Sequence, residues 1–198
     1  MNTVQGTVNS FFKKLFLPLI LLNMVLSDSN AEDFKSIKLF AGASHTHYNR
    51  EFSSYWKDIT PIIFQIETNY FYFDVTASFS YSHFESKSPQ ITNFHSARAD
   101  LLLSYPVPVF NFAQLNLGVK AGNFFMFFDN ENKYAGRESE LFTAADISIQ
   151  TKIVKNLLAK ISYEYGMVFT LRRITCSQIS LAIGYAFNTP HIIKEFLK

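Results

Sequence analysis

QISLAIGYAF, residues 178–187, alternates two kinds of side chain without a break after its first residue. Because successive side chains of a β-strand point to opposite sides, the isoleucines, leucine, tyrosine and phenylalanine fall on one face, and the serine, glycine and alanines on the other. A strand whose second face met water would usually carry long polar side chains there. The stretch therefore predicts a β-strand with one large apolar face and one face confined by neighbouring parts of the chain.

The same period of two recurs along the chain, so this strand is one of a set. Polar or turn-forming residues separate the segments that follow this pattern. The eight predicted strands cover residues 37–47, 61–67, 71–83, 94–105, 115–128, 141–150, 159–169 and 178–187. Their number, length and spacing predict an all-β fold, an eight-stranded antiparallel up-and-down transmembrane barrel.

The connections between the predicted strands alternate in length. Residues 48–59, 85–93 and 129–138 form longer polar connections, whereas the connections between them are shorter. The last connection lies at the end that carries the longer loops, but it is brief, so it fits this alternation less well. Membrane barrels of bacteria show the same asymmetry, with short periplasmic turns and longer outer loops.

Two places interrupt the pattern. Pro106 and Pro108 are expected to end the fourth strand, because proline cannot donate a ladder hydrogen bond. Residues 123–128 lose the alternation, and a bulge near Gly122 would be one explanation.

Composition excludes several classes of protein. Of 198 residues, 22 are Phe, and only 17% are charged, against roughly 25% in typical soluble domains. A net charge of +2 gives no electrostatic footprint for nucleic acid. The single cysteine, Cys176, cannot form an internal disulfide, and we interpret it as a structural strand residue.

The N-terminus predicts a cleaved signal peptide over residues 1–31. Lys13 and Lys14 precede an apolar run, residues 15–26, and Ser29-Asn30-Ala31 forms a small-x-small cleavage site. The apolar run is too short to span a bilayer as a helix, which needs about 20 residues. The mature barrel is then expected over residues 32–187, with an uncleaved anchor as the alternative.

Alternation alone fits either a membrane barrel or a soluble lipocalin-like barrel with its apolar face inward. The set opposite the apolar face is small and polar, with charges of both signs. Those predicted to form a charge network in the lumen are Lys38, Glu67, Asp74, Arg98, Asp100, Lys120, Asp146, Lys160 and Glu164. Such charges can pair inside a narrow lumen, and aromatic residues gather near both ends of the strands, as membrane interfaces favour. Both observations favour lipid on the apolar side.

The pattern and length of residues 32–187 resemble the OmpA/OmpX-like family of small eight-stranded bacterial outer-membrane barrels. Tyr185-Ala186-Phe187 is similar to the terminal aromatic signature that the barrel-assembly machinery reads in that family. The resemblance implies an outer-membrane location and that machinery as a partner. Residues 188–198 depart from it, and we expect a periplasmic-side amphipathic helix there, with Thr189 as N-cap and Pro190 at its first position.

Four histidines are the candidates for a site. By parity His45, His47, His83 and His95 lie on the outward face near the longer loops, where they could bind lipopolysaccharide phosphates or a metal. Lipid A deacylases carry a His and a Ser two residues apart on such a face, but Ala97 stands at that spacing after His95. Imidazoles resting at headgroup level are the simpler interpretation. We therefore predict no catalytic residue, no metal site and no cofactor.

The sequence predicts a monomeric, non-enzymatic outer-membrane barrel whose loops meet lipid, lipopolysaccharide or surface partners, and no nucleic acid. Its lumen charges are expected to form a self-paired core and not a conducting path. A lipid A-modifying enzyme and a soluble ligand-binding barrel remain the alternatives.

Overall fold

The computed structural model describes residues 34–129 and 136–190. The elements are β1 (Ser36–Tyr48), α1 (Arg50–Tyr55), β2 (Trp56–Tyr70), β3 (Phe73–Ser86), β4 (Phe94–Phe110), β5 (Ala113–Phe128), β6 (Arg137–Val154), β7 (Leu157–Val168) and β8 (Ile174–Asn188). Each strand pairs antiparallel with the next, and β8 pairs with β1 from Ser36 to Tyr48, so the eight strands close into a barrel. The predicted fold class is confirmed.

Two predicted segments fall on residues whose structure is not described. The signal peptide, residues 1–31, lies outside the described residues, and so does the tail from residue 191 onward, where the amphipathic helix is expected. Within the described ranges, no helix has the length and apolar character needed to cross a bilayer.

Strand β4 is longer than predicted, because it continues through Pro106 and Pro108. Its pairing with β3 ends at Ser104, whereas its pairing with β5 continues to Phe110. Beyond Ser104 the strand has a described partner on one side only, so a proline nitrogen facing the other side loses no ladder hydrogen bond. The prediction that the prolines end the strand was wrong for this reason.

The segment that lost its alternation, residues 123–128, is regular in the structure. Residues 123–128 pair in register with β4 and residues 123–127 with β6, without a register shift near Gly122. Phe124 and Met126 point into the barrel and are buried, while Phe125 and Phe127 point outward. Both faces carry large apolar residues here, which hides the period of two.

The short connections lie at one end of the barrel, the end predicted to be periplasmic. Phe71, predicted as the first residue of the third strand, lies in the β2–β3 turn with φ 49°, and Lys155 has φ 40° in the β6–β7 turn. Positive φ at a turn residue suits the twist of a tight hairpin. The longer connections, including α1, lie at the other end.

The two faces of the wall have opposite character. Leu101 is 62% exposed and Ile183 59%, and they belong to a band of outward apolar side chains. Other members of the band are Ile62, Phe64, Ile66, Val119, Ile147, Ile149, Ile161, Ile179 and Leu181. A contiguous apolar surface around a closed barrel is what a bilayer requires and water does not tolerate. The interior is polar, the reverse of a lipocalin-like barrel.

Small residues face inward because larger ones fill the lumen. A Cβ added at Gly184 would overlap the ring of Phe40 from β1. The confined face predicted for residues 178–187 is therefore the lumen face of β8, where Ser180 and Ala182 are buried.

Candidate functional site

The structure places all nine predicted lumen charges on the inward side of the wall and gathers them into two groups. In the first group, Glu67 lies between two lysines. Its Oε1 is 2.7 Å from Lys38 Nζ, and its Oε2 is 2.8 Å from Lys160 Nζ. Lys38 also lies 3.6 Å from Asp74, which accepts a 2.9 Å hydrogen bond from Gln114 Nε2. Glu67 is thus neutralised by cations from strands on either side of the lumen.

The second group is built around Glu164 of β7. Arg98 Nη1 is 2.8 Å from Glu164 Oε1, and Lys120 Nζ is 2.5 Å from Glu164 Oε2. Arg98 Nε also lies 3.0 Å from Asp100 Oδ2. Strands β4 and β5 supply the cations, so the group connects side chains across the barrel. Charges this deeply buried are tolerated because each has an opposite charge nearby.

Asp146 of β6 is the ninth member, and it is buried beside the second group. Its Cα pairs with that of Glu164 across the β6–β7 ladder, but its Oδ1 has no hydrogen-bond partner among the described residues. The network thus holds one more carboxylate than cations. No ion pair within 4.0 Å joins Asp146 to the described part of the chain.

An apolar cluster closes the lumen at the end that carries the longer loops. Its members are Phe52, Phe84, Phe94, Phe124, Met126, Phe142, Val168, Ile174 and Cys176. Phe84 and Phe94 stack with ring centroids 4.4 Å apart, and α1 lays Phe52 edge-on against Phe84 at 5.6 Å. We call the nine residues of this cluster the apolar plug. The Arg98 guanidinium lies 4.4 Å from the centroid of the Phe142 ring, so it joins the charged residues of the lumen to the apolar plug.

The apolar plug has only a partial sequence signal. Phe124 lies where the alternation fails, and Phe52 comes from a six-residue helix within the predicted polar connection 48–59. Asn49 caps this helix, because its side chain accepts a hydrogen bond from the Phe52 amide. In the sequence, only Asn49 followed by a short segment containing Phe52 indicates this helix. Cys176 is buried in this cluster as a free thiol, in agreement with its structural interpretation.

The histidines divide into two places on the outward face. His83 and His95 are directly opposite across β3 and β4, with their Nδ1 atoms 3.3 Å apart. His45 and His47 lie on β1, two strands away, and pair with Ile179 and Ser177 of β8. The described ranges contain no group of three or more His, Cys, Asp or Glu side chains that could hold a metal. The four predicted candidates are therefore one contacting pair and two separate residues.

Two further residues join the histidine pair. The Tyr81 hydroxyl lies 2.6 Å from His95 Nδ1, and Asp129 Oδ1 lies 3.6 Å from His95 Nε2. Sequence alone could not supply these contacts, because they depend on the β3–β4 register and on where β5 ends. Ala97 is adjacent on β4, and Ser96 points inward and is buried. Among the described residues, the hydroxyl that contacts His95 is therefore the phenol of Tyr81.

Comparison with known proteins addresses the fold. No protein family model matches the chain, and no curated protein matches its sequence. Neisserial surface protein A (NspA) superposes with a TM-score of 0.59 at 11% identity, covering 77% of this chain and 97% of that chain. Ail, the attachment invasion locus protein of Yersinia pestis, superposes with a TM-score of 0.50 at 16% identity, covering 77% of this chain and 98% of that one.

Identity this low carries the fold and nothing more specific. The closed eight-stranded barrel superposes on these outer-membrane barrels along nearly their whole length. The resemblance predicted from the sequence is confirmed at this level. The chain has the fold of the small eight-stranded bacterial outer-membrane β-barrels.

Proposed function

We propose that the protein is a monomeric integral outer-membrane barrel that neither conducts ions nor catalyses a reaction, and that serves as a rigid scaffold for its outer loops. The observation that carries this proposal is the filled lumen. Paired charges occupy its middle, and the apolar plug closes one end. Eight-stranded barrels have an interior that side chains can fill.

Planar-bilayer recording tests the absence of conduction. The purified barrel should insert without producing discrete current steps, because a permeating ion would have to displace both the ion pairs and the packed phenylalanines. The double variant Phe52→Ala/Phe84→Ala is a useful comparison, since it thins the apolar plug and leaves the charges in place. Reproducible steps with the unmodified protein would contradict the proposal.

Outer-membrane lipid is the partner most directly supported by the surface of the barrel. The histidine pair and Tyr81 lie toward the loop end of β3 and β4, where we expect lipid headgroups. We propose contact with lipopolysaccharide there, and recognition of the Tyr185-Ala186-Phe187 end by the barrel-assembly machinery. Delivery by a cleaved signal peptide is part of the same proposal.

A lipid A-modifying enzyme is the alternative in a different class. It would need an activated nucleophile, and the hydroxyl beside His95 belongs to a phenol, a weaker nucleophile toward esters than the serine of known acyl transfer sites. Mass spectrometry of lipid A from cells with and without the protein tests this alternative. An unchanged profile agrees with the scaffold, whereas a new lipid A species that disappears in His95→Ala would establish an enzyme.

The ligand of the solved Ail complex is not carried over to this chain. That complex contains the heparin analogue sucrose octasulfate, a polyanion. The outer mouth of this barrel carries Glu51, Glu138 and Glu140, and Arg172 beside them is paired with Glu51. Glu138 and Glu140 disfavour a polyanion, so we propose a different ligand chemistry for this surface.

A further inference from the structure

A cavity of about 440 Å³ opens at the outer mouth of the barrel, directly above the apolar plug. Its floor and walls are largely aromatic, formed by Phe52, Trp56, Phe94, Met126, Phe128 and Ile174. The volume falls within the range of small-molecule sites, roughly 300–1,000 Å³. A largely apolar cavity with a few polar groups at its edge is the usual form of such sites.

The aromatic wall is held in place by contacts behind it. Trp56 Nε1 donates a 3.0 Å hydrogen bond to the Thr92 carbonyl, and the Trp56 ring meets Phe94 edge-on at 5.5 Å. Phe94 in turn stacks on buried Phe84. A wall fixed in this way needs little ordering when a ligand binds, which favours affinity.

The part of the mouth formed by α1 is fixed in the same manner. The backbone N–H of Asn49 donates a 2.8 Å hydrogen bond to the Thr175 carbonyl, and its side-chain Nδ2 donates a 3.2 Å hydrogen bond to the Arg173 carbonyl. These bonds join the start of α1 to β8 and to the connection before it. The cavity is therefore preformed, with walls from both halves of the chain.

The charged residues that line the cavity are mostly carboxylates. Glu138 and Glu140 share the inward parity of Phe142 on β6, and their Cα atoms pair with Met126 and Phe124 of β5. Of the described residues that line the cavity, only Arg172 is a cation, and its Nη1 is already 2.7 Å from Glu51 Oε1. Two carboxylates thus face an aromatic pocket without a cation supplied by its described lining.

We propose that this cavity binds a small amphipathic cation, an ammonium group carried on an aromatic or short alkyl body. The body would fill the space over Phe94, Met126 and Ile174, where its burial is favourable. The ammonium would lie near Glu138 and Glu140 and against the face of Trp56, which favours cations through its ring quadrupole. Such binding adds a ligand site to the scaffold and is a property of the folded barrel, independent of whether the lumen conducts.

Trp56 provides a site-specific signal, because it is the only tryptophan in the chain. The purified, folded protein in nonionic detergent is titrated with benzyltrimethylammonium while tryptophan emission is recorded. Benzyl alcohol and benzenesulfonate are the matched neutral and anionic probes. We expect a saturable change with the cation, and apparent affinities for the other two probes weaker by about tenfold or more, corresponding to about 1.4 kcal/mol.

Glu138→Gln/Glu140→Gln is the decisive variant, since it keeps the side-chain shape and removes the charge. Its affinity for benzyltrimethylammonium should fall by about tenfold, toward that of benzyl alcohol. Asp129→Asn is the control, because this carboxylate is next to His95 on the outer face and does not line the cavity. Heat-modifiable gel migration verifies that each variant is folded.

Three results would overturn the proposal. The first is a linear, non-saturating response of the folded protein to the cation. The second is equal affinity for the cationic and neutral probes. The third is an equal loss of affinity in Asp129→Asn and in Glu138→Gln/Glu140→Gln, which would reflect the general surface charge and not this cavity.

Discussion

The Arg98 guanidinium of β4 meets the Glu164 carboxylate of β7 across the lumen, with Nη1 2.8 Å from Oε1. These strands are not neighbours in the wall, so the pair connects two sides of the barrel that no backbone ladder joins. Both side chains are buried. Removing one partner of such a pair costs more than the pair itself contributes, because the remaining charge has no water to solvate it.

Arg98→Met should therefore destabilise the barrel by about 3–5 kcal/mol. Urea unfolding of the purified protein in lipid vesicles or detergent measures the change. Arg98→Met/Glu164→Gln should recover part of the loss, since it removes both charges. Arg172→Met is the control, because its ion pair with Glu51 is exposed and its loss should leave unfolding unchanged within error. Equal effects of Arg98→Met and Arg172→Met would contradict the proposed role of the lumen network.

The stability of the barrel should depend on the fully buried rings of the apolar plug. Phe84 is fully buried and stacked on Phe94, so Phe84→Ala leaves a cavity and should cost about 3–5 kcal/mol. Phe79→Ala, on the same strand but facing outward, should cost clearly less, because lipid fills the space that the ring leaves. The same unfolding assay compares the two variants. A greater loss for Phe79→Ala would show that the ring packing inside the mouth has been misassigned.

Cys176 reports on the same cluster without any added label site. Its side chain is buried and the chain has no other cysteine, so maleimide should modify the folded protein far more slowly than the heat-unfolded protein. Phe52→Ala should accelerate labelling of the folded protein, since it opens the mouth above the thiol. Mass spectrometry of timed samples gives both rates. Rapid labelling of the folded, unmodified protein would contradict a closed mouth.

A charged side chain introduced into the outward apolar band should destabilise the barrel most near the middle of the bilayer. Leu101 lies near the middle of β4 and is 62% exposed, so Leu101→Arg places a guanidinium in hydrocarbon and should cost roughly 2–4 kcal/mol in vesicles. Leu171→Arg is the matched control, because Leu171 is fully exposed in the β7–β8 connection and should tolerate the change. The free energy of unfolding in vesicles and the refolding yield are measured for both variants and compared. Equal tolerance at both positions would argue against lipid around β4.

The sequence predicts the wall of this barrel well, because each strand residue faces either lipid or the lumen and the alternation records that choice. The alternation fails where both faces of a strand are apolar, as in residues 123–128. It also cannot show whether a proline is tolerated, because Pro106 loses no hydrogen bond only where the pairing of β4 with β3 has ended. The contact of Tyr81 with His95 depends on strand register, which the period of two does not specify. The mouth cavity depends on side chains from α1, β2, β4, β5, β6 and β8, which meet only in the closed barrel.

The central claim is that the apolar face of the wall meets lipid and the polar face is enclosed. Spin-label power saturation tests it most directly, with labels placed singly in a Cys176→Ser background at Ile147, Ser148 and Ile149 of β6. In vesicles, labels at positions 147 and 149 should be relaxed strongly by oxygen and weakly by a water-soluble nickel complex, while position 148 is shielded from both. Access of the nickel complex to positions 147 and 149 would show that water covers this face, and would contradict the account.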